Sequence, residues 1–158
     1  EIDDPVAGPG QLVVYPIVDL QTAKIKVVDF VSGLEDVMLQ TAHNWGIAAE
    51  RNDANRGIWV GPKKMGSIGI AVRRGISFHG LALNIHTDLT PFTWIRPCGL
   101  QDVQMTSIQQ ESNQSISMQQ VRTVLKKQFE AVFGMKFTQK KPTDLDSILE
   151  DAALTSSV

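Results

Sequence analysis

The sequence has one cysteine, Cys98, so no disulfide can form within the chain, and such sparing thiol use fits a reducing compartment. It has no basic surplus: 15 Lys and Arg stand against 17 Asp and Glu, a formal net charge of −2. That balance gives neither nucleic acid nor an anionic membrane an electrostatic handle. No run approaches the roughly 20 apolar residues of a membrane span. There is no Walker loop and no dinucleotide fingerprint. His43, His79 and His86 do not fall at metal-ligand spacing, and with one thiol a zinc site is not expected. No metal and no cofactor is therefore expected. The chain opens on Glu1, without Met or a targeting segment, and reads as a fragment or a processed product.

What is present is an ordinary globular composition, 42% hydrophobic and 20% charged over 158 residues, enough for a single domain with a real core. Residues 1–10 are acidic and then turn-rich. Gln11 to Leu20 is β-rich and apolar on both faces, as a covered strand should be, with Pro16 marking a bulge or an edge position. Asp29 to Trp45 predicts an amphipathic helix whose face is Phe30, Leu34, Val37, Met38, Thr41 and Trp45, with Asp29 as N-cap and Gly46 as stop. A short strand is expected over Ile47 to Arg51. Ile58 to Val60, Met65 to Arg73 and Ile76 to Ile85 read as three further strands, and Asp88 to Ile95 as a short helix or turn. Gln109 to Ser115 reads as a loop. Ser117 to Phe133 is a second helix, with Ser117 and Gln120 spaced as a capping box and Gly134 beyond it. Residues 135–158 read as a tail, with a short acidic helix possible over Asp144 to Leu154. The fold class is α/β (α+β), in one domain spanning 1–158.

The chemistry is concentrated between Gly57 and Leu100. A lone cysteine is more often a small buried hydrophobe than a nucleophile. Cys98 stands out by its setting between Pro97 and Gly99, in a turn whose backbone N–H groups can face an oxyanion. Lys64 precedes the small-residue run Gly66-Ser67-Ile68-Gly69; alone, Lys63 and Lys64 are equally a solvated turn. His79, in Phe78-His79-Gly80-Leu81-Ala82-Leu83-Asn84, reads as a hydrogen-bonded core histidine, and His43 and His86 as surface ones. The tryptophans read as core.

These segments resemble a known family. Gly8-Pro9-Gly10-Gln11-Leu12-Val13-Val14-Tyr15-Pro16, then Gly57-Ile58-Trp59-Val60, then Lys64 leading into Ser67-Ile68-Gly69 are similar to motifs of the lipoyl(octanoyl) transferases. Phe78 to Asn84, Asp88-Leu89 and Pro97-Cys98-Gly99-Leu100 follow in the family's order and spacing. The resemblance runs from about Gly8 to Ser107. It implies a mixed sheet flanked by helices, related to the catalytic domains of biotin and lipoate protein ligases. Ile70 to Ser77 and Trp94-Ile95 resemble bacterial rather than organellar members, which implies a cytoplasmic enzyme, or a mitochondrial one if the source is eukaryotic.

The resemblance also implies a mechanism. Octanoyl passes from octanoyl-acyl carrier protein to Cys98 as a thioester, and then to a lysine of a lipoyl domain, on a 2-oxoacid dehydrogenase or the glycine cleavage H protein. Lys64 is the partner: an ammonium beside a thiol favours the thiolate, and a desolvated lysine can later serve as base. No ATP is needed, since the thioester is already activated. Gly8, Ser67, Ile68, Gly69, His79, Gly80, Leu81 and Ala82 match substrate-binding positions, and Tyr15 suits either a wall of the slot or a plain core role. Burying seven acyl carbons is worth about 5 kcal/mol at roughly 0.8 kcal/mol per CH₂. The chain departs from the family before Gly8, where Ala7 replaces a histidine and Glu1, Ile2 and Asp3 stand near the place of the family's Arg-Gly-Gly motif, which this chain lacks. An inactive fragment and an ATP-dependent ligase relative are the alternatives.

Overall fold

The structure, a computed structural model, describes residues 8–53, 55–93 and 103–141. In chain order the elements are β1 (Gln11–Val14), α1 (Val27–His43), β2 (Glu50–Arg51), β3 (Gly57–Val60), β4 (Lys63–Arg73), β5 (Ile76–Asn84), a 3-10 turn (Thr90–Thr93), β6 (Gln104–Met105), α2 (Ile108–Ser112) and α3 (Met118–Phe133). The strands form one mixed sheet in the order β1-β5-β4-β3-β2, all antiparallel, with β6 pairing parallel to β4. Its spine is the β4–β5 hairpin. Arg74 and Gly75 turn it at φ 52° and 85°, the paired positive φ that a two-residue type I′ connection requires.

Helix α1 covers one face of the sheet, and α3 packs on α1, with Phe30 and Phe133 rings 5.4 Å apart. The 3.6-residue stripe buries Phe30, Leu34, Val37, Met38 and Thr41, as the periodicity predicts. Each fully buried large apolar side chain of this stripe contributes about 1.5–3 kcal/mol. The Thr41 hydroxyl, buried among them, donates to the Val37 carbonyl at 2.7 Å. Helix α1 starts at Val27, so Lys26 rather than Asp29 is the N-cap, and Asp29 lies in the first turn, where a carboxylate suits the helix dipole. In α3 the capping box is formed: the Ser117 hydroxyl accepts from the Gln120 N–H at 3.2 Å, and the Gln120 side chain accepts from the Ser117 N–H at 3.1 Å. Gly134 ends the helix at φ 65°.

Four further expectations are revised. The Gln11–Leu20 segment is not covered on both faces: Leu12 and Leu20 are buried, but Val13, Tyr15 and Ile17 are exposed. β1 is an edge strand, and Val13 lies on the sheet face turned away from α1. Pro16 sits where the edge is interrupted, its carbonyl accepting from the Ser77 hydroxyl at 2.7 Å, and pairing resumes between Val18 and Ser77. The expected Ile47–Arg51 strand shrinks to Glu50–Arg51. Residues 109–115 are not all loop, because α2 runs from Ile108 to Ser112, started by the Ser107 hydroxyl accepting from the Gln110 N–H. His79 is exposed and lies outside the core. The 3-10 turn at Thr90–Thr93 lies within the short helix or turn expected over residues 88–95. Of the tryptophans, Trp59 is buried, Trp45 is half-buried against the core, and Trp94 lies outside the described residues. Residues 135–141 form no helix or strand, and the acidic helix expected over residues 144–154 lies outside the described residues.

Candidate functional site

A β-bulge builds the site. On β3, Gly57 pairs with Ser67 and Ile58 with Gly66, but Trp59 pairs with Lys64, so Met65 is an extra residue on β4. Strict alternation would put Lys64 and Ser67 on opposite faces. Gly57 and Trp59 share a face of β3, so their partners Ser67 and Lys64 also share one. The opposite face holds Gly66, where an added Cβ would stand 2.8 Å from Met38 Sδ of α1. Lys64 and Ser67 therefore lie on the sheet face turned away from α1.

Lys64 is 2% exposed, and a buried ammonium is costly without partners. Its Nζ lies 5.4 Å from the Trp59 ring centroid, within cation–π range, and donates to Asn55 Oδ1. Asn55 belongs to the β2–β3 connection, and that connection is held by a buried carboxylate. Glu35 of α1, 1% exposed, accepts from Arg51 Nε and Arg56 Nη1, both at 3.1 Å, and from the Gly57 N–H at 3.0 Å. The Asn55 carbonyl also accepts from Trp59 Nε1 at 3.2 Å. Gly57 itself permits the close packing: at φ 124°, its absent Cβ would lie 2.1 Å from the Gly66 carbonyl oxygen and 3.2 Å from Lys64 Cε.

The small residues line up beside Lys64. Val13, Ala82, Ser67 and Gly57 form one cross-strand row, and Gly69 and Gly80 form the next pair on the same face. Open space lies over Gly69, whereas a Cβ at Gly80 would collide with the Val14 carbonyl oxygen at 1.8 Å. Leu81 is in the core on the α1 side, and Ile68 packs against that core, so their side chains point away from the small-residue face. At the Lys64 end, Gln11 donates to Asn84 Oδ1 at 2.9 Å, and buried Asn84 donates to the Thr106 carbonyl at 3.0 Å. The Thr106 N–H donates to the Lys64 carbonyl at 2.9 Å. The Gly8 carbonyl accepts from the Gln11 N–H at 3.2 Å, placing that loop beside the same end.

Tyr15 and His79 come together, ring centroids 6.3 Å apart and nearly perpendicular, with Phe78 5.1 Å from His79. His79 takes a positive φ of 61° and pairs with Ile70, six residues along β4 from Lys64 or roughly 20 Å of strand. Tyr15 and His79 thus stand at the far end from the lysine. Cys98 lies outside the described residues.

Glu35, Asn55 and Glu111, which sequence reasoning passed over, complete the site together with Trp59 and Asn84, which lie in the quoted motifs without an assigned role. Glu111 accepts from Thr106 Oγ1 at 2.5 Å and from Lys63 Nζ at 3.1 Å, tying α2 to the start of β4. The Thr106 hydrogen bond, helped by Lys63, holds its carboxyl below the ordinary range against the opposing effect of burial. Among the described residues, no group of three or more His, Cys, Asp or Glu is arranged to hold a metal ion, and no helix is long and apolar enough to cross a membrane.

Residues 6–130 match the family described as lipoyl protein ligase A/B catalytic domain. An octanoyltransferase of Desulfotalea psychrophila is 45% identical over 129 residues, covering 80% of this chain and 58% of that protein. An octanoyltransferase of Syntrophobacter fumaroxidans is 38% identical over 144 residues, covering 91% and 63%. The chain thus spans about three-fifths of the length of these curated relatives. The fold is shared with a bi-partite lipoate protein ligase of Thermoplasma acidophilum, at TM-score 0.63 and 18% identity over 84% of this chain and 55% of that one. It is also shared with the biotin protein ligase of Aquifex aeolicus, at TM-score 0.61 and 10% identity over 79% and 53%.

Proposed function

The chain belongs to the lipoyl protein ligase A/B catalytic domain family, and from that premise we propose that it carries the catalytic face of an octanoyltransferase. The observation that carries this reading is the placement of buried Lys64 at the head of a face lined by Ser67, Gly69, Gly80 and Ala82. A cation at one end and a narrow small-residue floor suit a thioester whose acyl chain runs along the strands.

The donor is octanoyl-acyl carrier protein. The Cys98 thiolate attacks the thioester carbonyl, the new S–C bond forms, the carrier's S–C bond breaks, and the carrier's sulfur leaves as a thiol with the proton of the Lys64 ammonium. The amine of a lipoyl-domain lysine then attacks the acyl-Cys98 carbonyl, on a 2-oxoacid dehydrogenase or a glycine cleavage H protein. The N–C bond forms, the Cys98 S–C bond breaks, the amine's proton passes to Lys64, and Cys98 leaves as a thiolate beside the restored ammonium. As ammonium, Lys64 stabilises the thiolate; as free amine, it accepts the proton. Support for their proximity comes from β6: Met105, seven residues after Cys98, pairs with Lys64 itself. The reaction needs a reduced thiol, as in the cytoplasm of a bacterium.

Intact-protein mass spectrometry of the full-length protein with octanoyl-carrier protein tests the reading. One octanoyl adduct is expected on Cys98, absent from Cys98→Ala, and discharged by a lipoyl domain. Undiminished transfer by Cys98→Ala would overturn it.

A further inference from the structure

We infer that Asn55 is a positioning residue for Lys64, an amide that fixes the lysine's ammonium without neutralising it. The inference rests on the proposed role of Lys64 and adds a residue and a loop to it. Asn55 is held from two sides. Its carbonyl accepts from the Trp59 indole N–H, and its side-chain oxygen accepts from Lys64 Nζ. Trp59 is the cross-strand partner of Lys64 and presents its ring to the same ammonium, so the three residues meet pairwise, Trp59 reaching Asn55 through the main-chain carbonyl.

The loop that delivers Asn55 is clamped beneath. Glu35 binds Arg51 before it and Arg56 and the Gly57 N–H after it, so a carboxylate on α1 anchors both sides of Asn55. Arg51 also reaches Asp36 Oδ1 at 2.7 Å and the Ser32 carbonyl at 3.1 Å. The Glu35 carboxylate thus faces the two arginines, and the group that Asn55 offers to Lys64 is neutral. The distinction matters chemically. A carboxylate against the lysine would favour its charged form and hold the proton. An amide oxygen orients the same N–H but leaves the charge for a neighbouring thiolate, and lets the proton leave when the amine must act as base.

Three variants of the full-length protein separate the possibilities: Asn55→Asp, which is isosteric, Asn55→Ala and Lys64→Ala. The readout is the pH profile of octanoyl transfer to a lipoyl domain, with melting temperature as a control on folding. Asn55→Asp is expected to move the rising alkaline limb upward by about one pH unit or more. Asn55→Ala is expected to lower transfer by roughly 10-fold or more, as loss of orientation does. Lys64→Ala should be slowest and lack that limb. If Asn55→Asp and Asn55→Ala both superimpose on the wild type while Lys64→Ala is impaired, the inference is wrong and the role of Lys64 stands. If Lys64→Ala matches the wild type, the role of Lys64 falls and the inference with it. Should Asn55→Ala fail to fold, the pH profile of the isosteric variant decides alone.

Discussion

Lys64 and Ser67 are three residues apart on one strand, yet they share a face, because Met65 is an extra residue against the Trp59 pairing. This single bulge turns a lysine that alternation would aim at α1 towards the row of small residues. It depends on Gly57, which brings β3 against the Gly66 carbonyl at a φ of 124°. Gly57→Ala forces a Cβ into that carbonyl and into an unfavourable φ. A loss of about 1–3 kcal/mol is expected from the backbone strain, with greater loss if β3 lifts from β4. Denaturant unfolding measures the stability. Acyl transfer by the folded fraction should also fall, since Lys64 Cε lies beside the same position.

The Glu35 clamp predicts a graded series. Glu35→Ala removes an acceptor from a buried N–H at Gly57 and from two arginines. Arg51 and Arg56 side chains are 41% and 56% exposed, so water can satisfy much of what they lose. The orphaned Gly57 N–H cannot be rescued so easily. The expected cost is about 2–4 kcal/mol for Glu35→Ala, less for Glu35→Gln, which keeps an acceptor, and about 1 kcal/mol for Arg51→Ala. Equal midpoints in urea for all three would contradict the assignment of Glu35 as the centre of the clamp.

The legible parts of this fold are the local ones. The α1 stripe and the Ser117–Gln120 capping box depend on residues within one or two turns, so spacing reveals them. The bulge at Met65 is set by where β3 pairs, which no window along β4 contains. Pro16 marks the edge position of β1, but its open face is not legible, because apolar residues on both faces suit a covered strand and an edge strand alike. α2 was hidden because it buries Ile108 alone; its support is the Ser107 cap and the reach of Glu111 to Thr106 and Lys63. Asn55 carried no signal, because a polar loop residue becomes part of a site only when a neighbouring strand brings a lysine beneath it.

Acid sensitivity follows from Glu111. Its ordinary value is 4.5, and the Thr106 and Lys63 contacts lower it in the folded protein. A depressed carboxylate contributes stability that is fully present above the unfolded value and lost as pH falls through the folded one. Asp19 and Asp88 are lowered from 3.8 by hydrogen bonds from Thr22 and Thr90 and act in the same sense. Melting temperature is therefore expected to fall as pH drops below about 4.5, with a smaller fall in Glu111→Gln. A Glu111→Gln curve parallel to that of the wild type from pH 6 to pH 3 would show that this carboxylate does not contribute.

Gly69 and Gly80 are cross-strand partners with opposite surroundings, and this separates a structural glycine from a substrate-facing one. A Cβ at Gly80 would lie 1.8 Å from the Val14 carbonyl oxygen and 2.7 Å from Pro16 Cδ, so Gly80→Ala must push β1 off the sheet edge. The expected result is a loss of about 1–3 kcal/mol, as for overpacking elsewhere. A Cβ at Gly69 meets nothing within 4 Å, so Gly69→Ala should leave stability within about 0.5 kcal/mol of the wild type. Gly69→Val goes further and puts a branched side chain over the floor of the proposed acyl slot. If the acyl chain runs there, transfer of octanoyl should fall several-fold while transfer of a four-carbon acyl group is spared. Parallel assays with octanoyl- and butyryl-carrier protein read the ratio directly. An unchanged ratio in a stably folded Gly69→Val would place the acyl chain elsewhere than along this row.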